Sequence, residues 1–240
     1  MQTTDQREQS RTNRRFPDFF VVGHPKCGTS AMYEMLRQHP QVFMSPIKEP
    51  RFFNDDLHVP TETRMTESEY LDMFGGALPA QRLGEASPGY LRSHVAPRRI
   101  AAANPDARIV AILREPASFI NSLHLQGMRN GRILTRDLRA VLDIDPSRPE
   151  VFQYGEYVKY VDQLERYRAV FRPEQILVLV YEEYRRENAR TMRDVFRFIG
   201  VDDEFDVAPT TANPSGVRSL RLAALWAHFR DSDGAAYRAL

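Results

Sequence analysis

Lys26 sits in Pro25-Lys26-Cys27-Gly28-Thr29-Ser30, a turn that follows the apolar run Phe19-Phe20-Val21-Val22 and leads into Ala31-Met32-Tyr33-Glu34-Met35-Leu36, whose spacing is helical. A buried strand, a glycine turn and a helix start together make an anion site. The first N–H groups of a helix have no partner, the dipole is positive there, and a glycine lets a phosphate reach the backbone. Lys26 adds a full charge, and Thr29 and Ser30 add hydroxyl donors. The loop is expected to hold a phosphate. It does not follow the nucleoside-triphosphate pattern G-x-x-x-x-G-K-[ST], because Lys26 precedes Gly28 and threonine stands at 29, where that lysine would fall. A Cys-x5-Arg phosphatase loop fails too, since Tyr33 lies six residues after Cys27.

Lys48-Glu49-Pro50-Arg51-Phe52-Phe53 sets a charged pair before two aromatics. A carboxylate against an apolar wall has a raised pKa and serves as a base near neutrality. The alternative is a Glu49 that pairs with Lys48 or Arg51 and braces the loop. Phe52 and Phe53 read as core rather than as a substrate platform. Arg114 ends the apolar run 108–113, and Glu115-Pro116 opens a helix carrying Asn121, Ser122 and His124. A strand end flowing into a helix is where open α/β sheets bind ligands. Asn213-Pro214-Ser215-Gly216-Val217-Arg218-Ser219 is either a lid bearing Arg218 or a helix start capped by Ser215. The histidines at 24, 39, 58, 94, 124 and 228 lack a metal spacing, and His24 with Cys27 is too little for zinc, so no metal is expected. His24 is placed to touch a bound ligand. Cys27 reads as a small loop residue; the alternative is a thiol whose pKa the helix start lowers.

These groups need a frame that brings them to one edge. Apolar runs at 19–23, 42–44, 108–113 and 176–181, with a weaker one at 82–85, alternate with helical patterns at 29–38, 66–74, 95–103, 116–128, 135–142, 155–171, 187–199 and 217–229. The runs 108–113 and 175–180 are apolar on both faces, which predicts central parallel strands. Asn104-Pro105-Asp106 and Arg172-Pro173-Glu174 stop two helices before strands. The expected fold is α/β: a single P-loop-like domain over 16–240, its central, mostly parallel sheet flanked by helices, after a disordered polar tail over 1–15. Residues 143–152 read as a loop, either a plain connection or a substrate contact.

The chain has 240 residues, 42% of them apolar, enough for one sizeable core. A net charge of +1 provides no global field for nucleic acid or a membrane surface. One cysteine excludes an intramolecular disulfide and fits a reducing compartment. Residues 1–15 lack the apolar core of a secretion signal, and no run approaches the ~20 apolar residues of a membrane span. A cytoplasmic location is expected.

Five segments, in order over roughly residues 17–219, resemble the sulfotransferases that use 3′-phosphoadenosine 5′-phosphosulfate (PAPS). They are the P-K-x-G-T-[ST] loop at 25–30, K-E-x-x-F-F at 48–53, G-E-x-S-P-x-Y at 84–90, R-E-P-x-x-x-x-x-S from Arg114 to Ser122, and a late N-x-S-x-x-x-R-S segment, one residue shorter here, around Arg218. The likeness is to a bacterial member, nearer the glycosaminoglycan and carbohydrate branch than the cytosolic phenol branch. It implies PAPS as donor, no metal, and in-line transfer to the hydroxyl of a sugar, glycolipid or natural product. Pro25, Lys26, Cys27, Gly28, Thr29 and Ser30 would surround the 5′-phosphate, with Lys26 stabilising the leaving charge. Arg114, Ser122 and Arg218 would hold the 3′-phosphate, and Glu49 would be the base, with His94 or His124 as the fallback. Ala86 stands where glycosaminoglycan relatives often carry lysine, which argues for a small-molecule or glycolipid-type acceptor. Relatives usually continue with a closing segment, so a shortened C-terminus is expected at Leu240. Two other readings stay open: a non-catalytic module that binds the nucleotide or a partner protein, with Glu49 dispensable, and an atypical kinase or NTPase that needs magnesium and a triphosphate.

Overall fold

All five residues of strand β1 (Phe19–Gly23) are buried, which removes the in–out alternation of a half-exposed strand and marks a sheet covered on both faces. In the computed structural model, which describes residues 14–57, 64–133, 135–142 and 154–210, β1 is the middle of a five-stranded sheet. The other strands are β2 (Val42–Met44), β3 (Arg82–Ala86), β4 (Arg108–Leu113) and β5 (Ile176–Val180), in the spatial order β2-β3-β1-β4-β5. Every pairing is parallel: Phe19 lies opposite Gly84 on one side and Arg108 on the other, and Leu113 opposite Val180. Each fully buried Val, Ile or Phe in β1 and β4 stabilises the fold by roughly 1.5–3 kcal/mol.

The helices, in chain order, are α1 (Thr29–Leu36), α2 (Glu67–Asp72), α3 (Ala96–Ala103), α4 (Pro116–Arg129), α5 (Arg139–Leu142), α6 (Tyr154–Tyr157), α7 (Tyr160–Arg168), α8 (Tyr181–Arg186) and α9 (Asn188–Ile199). Their boundaries follow local chemistry. A capping box between Thr66 and Glu69 starts α2. Pro116 at the first position and the Glu115 carboxylate, accepting from the N–H groups of Ala117 and Ser118, start α4. The left-handed Gly200 ends α9.

The chain divides into two compact units, Met1–Arg114 with Lys159–Ala212 and Glu115–Val158 with Asn213–Leu240. The sheet lies in the first. There the chain leaves β1 toward the β2 side of the sheet but leaves β4 toward β5. The carboxyl ends of the adjacent strands β1 and β4 therefore flank a topological switch point, the place where open α/β sheets leave a crevice for a ligand.

Several expectations need correction. The run 176–181 is an edge strand among the described residues, not a central one: it pairs only with β4, and Val178 and Val180 are 39% and 43% exposed. The strand stops at Val180, and Tyr181 opens a helix the sequence reading did not foresee. The helix at 155–171 is two short ones, broken at Val158-Lys159, and that at 135–142 begins only at Arg139. Of the polar tail, Arg14 pairs with Asp72 at 2.5 Å and Arg15 with Asp18 at 3.0 Å. Residues 1–13, the loop at 143–152 and the helix at 217–229 lie outside the described residues.

Candidate active site

Gly23 ends β1 with its α-carbon pressed on β4: a Cβ there would stand 2.6 Å from the Ile112 carbonyl oxygen. His24 follows, fully buried, with its Nε2 2.8 Å from Gln163 Oε1 and its ring stacked on Tyr160. Burial lowers its pKa to about 4, which leaves the ring neutral where it meets Gln163 and Tyr160. Lys26 adopts a left-handed backbone, φ 71°, uncommon for a residue with a Cβ and most frequent at functional turns. The Cys27 thiol is buried and pushed up to about 12, chiefly by desolvation, which overturns the lowered-pKa alternative and leaves it the small loop residue expected. Gly28, φ 83°, caps α1 without any side-chain cap, and its α-carbon faces the rings of Tyr181 and Tyr184, each 3.0 Å from a would-be Cβ. Thr29 and Ser30 open α1, whose buried Met32, Tyr33, Met35 and Leu36 fix its direction against the sheet.

Arg114 leaves the end of β4 at the same crevice. Its Nη1 donates to the Lys26 carbonyl oxygen at 2.8 Å, locking the turn that presents the lysine. Its guanidinium lies 4.6 Å from the Tyr181 ring centroid, and its Nε is 3.8 Å from Glu182 Oε1. The Tyr160 hydroxyl donates to the Arg114 carbonyl at 2.8 Å, so α7 braces both strand ends, through Gln163 on His24 and through Tyr160 on Arg114. The switch point thus joins two predicted site residues, Lys26 and Arg114. Tyr181, Tyr184 and Gln163 were missed; the two tyrosines, three apart on one helical turn, were the available signal.

Glu49 stands beside the end of β3. Its N–H donates to the Ala86 carbonyl at 3.1 Å, and both Glu49 and Arg51 have left-handed backbones, φ 61° and 57°. Its carboxylate is one-third exposed and contacts Lys48 at 2.6 Å and Arg51 at 3.4 Å, the pairing weighed as the alternative. The apolar wall exists but backs a different carboxyl. Phe52 stacks on Tyr70 at 4.3 Å and Phe53 meets Phe20 and Tyr90 edge-on, while Tyr70 and Tyr90 both donate to the buried Glu85. Desolvation raises Glu85 to about 7, partly offset by hydrogen bonds from the Ser87, Tyr70 and Tyr90 hydroxyls. Sequence reasoning gave Glu85 no role.

In the second unit, Ser122 lies on α4, buried, and its hydroxyl has no hydrogen-bond partner among the described residues. A buried hydroxyl of that kind fits an oxygen-rich ligand. His124 is buried with its Nδ1 3.4 Å from the Tyr154 hydroxyl. His94, exposed in the first unit, offers its backbone N–H to Asp56. Arg218 lies outside the described residues. A cavity of about 500 Å³ sits at the opposite, amino-terminal edge of the sheet. Its arginines already serve the protein: Arg108 donates to the Phe198 carbonyl, Arg82 lies 3.8 Å from Asp18 and Arg172 2.9 Å from Glu174.

Residues 16–213 match the family model described as the sulfotransferase domain. Bifunctional heparan sulfate N-deacetylase/N-sulfotransferase 1 of Mus musculus is 30% identical over 221 residues, covering 85% of this chain and 24% of the relative. The chain thus spans about a quarter of the length of that curated relative. A sulfotransferase crystal structure from Alicyclobacillus acidocaldarius superimposes with a TM-score of 0.75 at 30% identity, over 89% of this chain and 92% of the other. Mouse sulfotransferase SULT7A1 complexed with PAP shares the fold, with a TM-score of 0.51 at 16% identity over 97% and 72% of the two chains.

Proposed function

The chain belongs to the sulfotransferase domain family, and from that premise we propose that it transfers a sulfuryl group from PAPS to an acceptor hydroxyl. The observation that carries this reading is the crossing of Arg114 Nη1 onto the Lys26 carbonyl at the switch point, beside a helix start opened by Gly28. The reading takes residues 16–240 as one sulfotransferase domain. The donor's 5′-phosphate would lie against Lys26 and the first N–H groups of α1, where the helix dipole and a full positive charge favour the negative charge that grows as the S–O bond breaks. The family resemblance assigns the 3′-phosphate to Arg114, Ser122 and Arg218, an anchoring that would fix the sulfur in line with the acceptor. Glu49 would take the acceptor proton as the new S–O bond forms. The family resemblance supplies the donor, and the Ser122 hydroxyl, which has no hydrogen-bond partner among the described residues, fits it.

The relative acts on heparan sulfate by its name, so a glycan is the first acceptor class to try. Ala86, in place of the lysine frequent in such relatives, favours a smaller or less charged acceptor. The contacts of Glu49 with Lys48 and Arg51 favour one competing reading, a nucleotide-binding module without catalysis.

Calorimetric titration of adenosine 3′,5′-bisphosphate (PAP), with ATP as control, tests the donor site. Micromolar PAP binding that is lost in Lys26→Ala and Arg114→Ala is expected, and absence of binding to the folded protein would sink the proposal. PAP release from PAPS in the presence of a glycan panel then separates the two readings. Lys26→Ala should slow it by ~10²–10³-fold, by analogy with a lost oxyanion donor. Unchanged turnover in Glu49→Ala would remove Glu49 as the base.

A further inference from the structure

The segment that carries Glu49 has no secondary structure of its own between Ser45 and Asn54, and two of its residues hold left-handed backbones that cost free energy without support. The Tyr33 hydroxyl donates to the Ser45 carbonyl at 2.7 Å, and further support comes from β3 and the turn after it. The Ser45 N–H donates to the Gly84 carbonyl at 2.8 Å and the Glu49 N–H to the Ala86 carbonyl at 3.1 Å. Beyond the strand, side chains take over as acceptors: the Arg51 N–H meets Ser87 Oγ at 3.4 Å, and the Phe53 N–H meets the Tyr90 hydroxyl at 3.3 Å. The Tyr90 hydroxyl can accept from Phe53 only while its own proton points elsewhere, and it donates that proton to Glu85 Oε2 at 3.2 Å. Glu85 Oε2 also accepts from Tyr70, whose ring stacks on Phe52 of the same segment. Finally the Tyr167 hydroxyl donates to the Tyr90 carbonyl at 2.9 Å, fixing Tyr90 from α7.

We propose that Glu85, acting through the Tyr90 hydroxyl, is the positioning residue that holds the Glu49 segment in its left-handed turn at the end of β3. This rests on the reading of Glu49 as the base. Glu85 touches neither donor nor acceptor in this scheme. Its task is to orient one hydroxyl proton, so that the Tyr90 oxygen lone pair remains available to the Phe53 N–H. A carboxyl with no polar partner would not be kept fully buried in an aromatic cluster, because the desolvation is unfavourable. Here its acceptor capacity is used to organise two tyrosines that both meet the segment, Tyr90 at the Phe53 N–H and Tyr70 against the Phe52 ring.

The test uses Tyr90→Phe, which removes the hydroxyl with little change of shape, with Glu85→Gln as the conservative variant whose amide oxygen still accepts from both tyrosines. Amide hydrogen exchange of residues 49–53, PAP affinity by calorimetry, and kcat and KM for PAP release from PAPS with heparan sulfate as the hydroxyl-bearing acceptor are measured on each. Tyr90→Phe should speed exchange at the Phe53 amide by about tenfold, the effect of one lost hydrogen bond. It should lower kcat by a similar factor while PAP affinity stays within about twofold. Glu85→Gln should keep the amide protected, whereas Glu85→Leu, which offers no acceptor, should speed its exchange as Tyr90→Phe does. An unchanged rate in folded Glu85→Leu overturns the role given to Glu85. Unchanged exchange at Phe53 in Tyr90→Phe overturns the inference. So does a loss of PAP affinity in step with kcat, which marks general loosening. Failure of the underlying reading appears separately, as full turnover in Glu49→Ala, and leaves the exchange measurement to decide the scaffold.

Discussion

Glu85 and His24 are both fully buried, and desolvation acts on them in opposite senses because one is an acid and the other a base. Glu85 rises from 4.5 to about 7, so between those values the folded chain keeps a proton that the unfolded chain has released. Stability from this group is present below pH ~4.5 and is lost as pH rises toward 7, on the order of 3 kcal/mol. His24 falls from 6.5 to about 4, so its contribution is present above pH ~6.5 and is lost as pH falls, by a similar amount. The two slopes oppose each other over most of the same window. Glu85→Gln should therefore uncover the His24 slope, and urea unfolding should show the variant gaining on the parent by on the order of 3 kcal/mol between pH 4.5 and 7. Parallel pH profiles would mean that Glu85 does not titrate there. The turn at 25–30 was legible from residues because it is local: an apolar run, a glycine and helical spacing follow one another within a few positions. The Glu85 environment was not, since its partners Tyr70 and Tyr90 are set by packing, and the wall expected behind Glu49 turned out to back Glu85 instead.

At the scale of elements, the strand–turn–helix from Phe19 to Leu36 matched its expected limits to within two residues, because a buried apolar run, a glycine and helical spacing leave few alternatives. The edge position of β5 did not show in its residues. An apolar run carries no information on which neighbour lies beyond it, and Val178 and Val180 are as apolar at an edge as in a centre. What the β1–α1 junction requires is tested by its glycine. Gly28 has φ 83° and a Cβ there would stand 3.0 Å from Tyr181 and Tyr184, whereas Gly200 has φ 78° at the far end of α9. Ala at either position should cost roughly 1–2 kcal/mol of stability from the left-handed backbone. Only Gly28→Ala should also weaken PAP binding, by more than about tenfold, because only there does the turn carry Lys26 and the start of α1. Calorimetry on the two variants decides. Equal PAP affinities would detach the donor site from this turn.

For the molecule as a whole, 33 basic and 32 acidic side chains leave no net field to gather a polyanion, so any preference for the donor must come from the few charges at the switch point. Many of the arginines are already neutralised nearby: Arg15 by Asp18, Arg172 by Glu174, Arg190 by Glu187 and Arg197 by Asp203. Exposed pairs of this kind add little stability, but they remove competing anion sites from the surface. Binding of the right nucleotide should then act on the folded state as a single linked equilibrium. At a PAP concentration a hundredfold above its Kd the protein should gain ~2.7 kcal/mol, which for a chain of this size corresponds to a rise in Tm of about 5–10 °C. ATP with magnesium at the same concentration should shift Tm far less, because Lys26 lies before the glycine of the loop and not after it, where a triphosphate loop needs it. A scan with both nucleotides, repeated on Arg114→Ala, makes the comparison. If ATP with magnesium stabilises as strongly as PAP, the altered loop serves a triphosphate and the kinase or NTPase reading takes precedence. If PAP alone stabilises and Arg114→Ala abolishes the shift, selectivity resides in the Lys26–Arg114 crossing, and the acceptor becomes the next question.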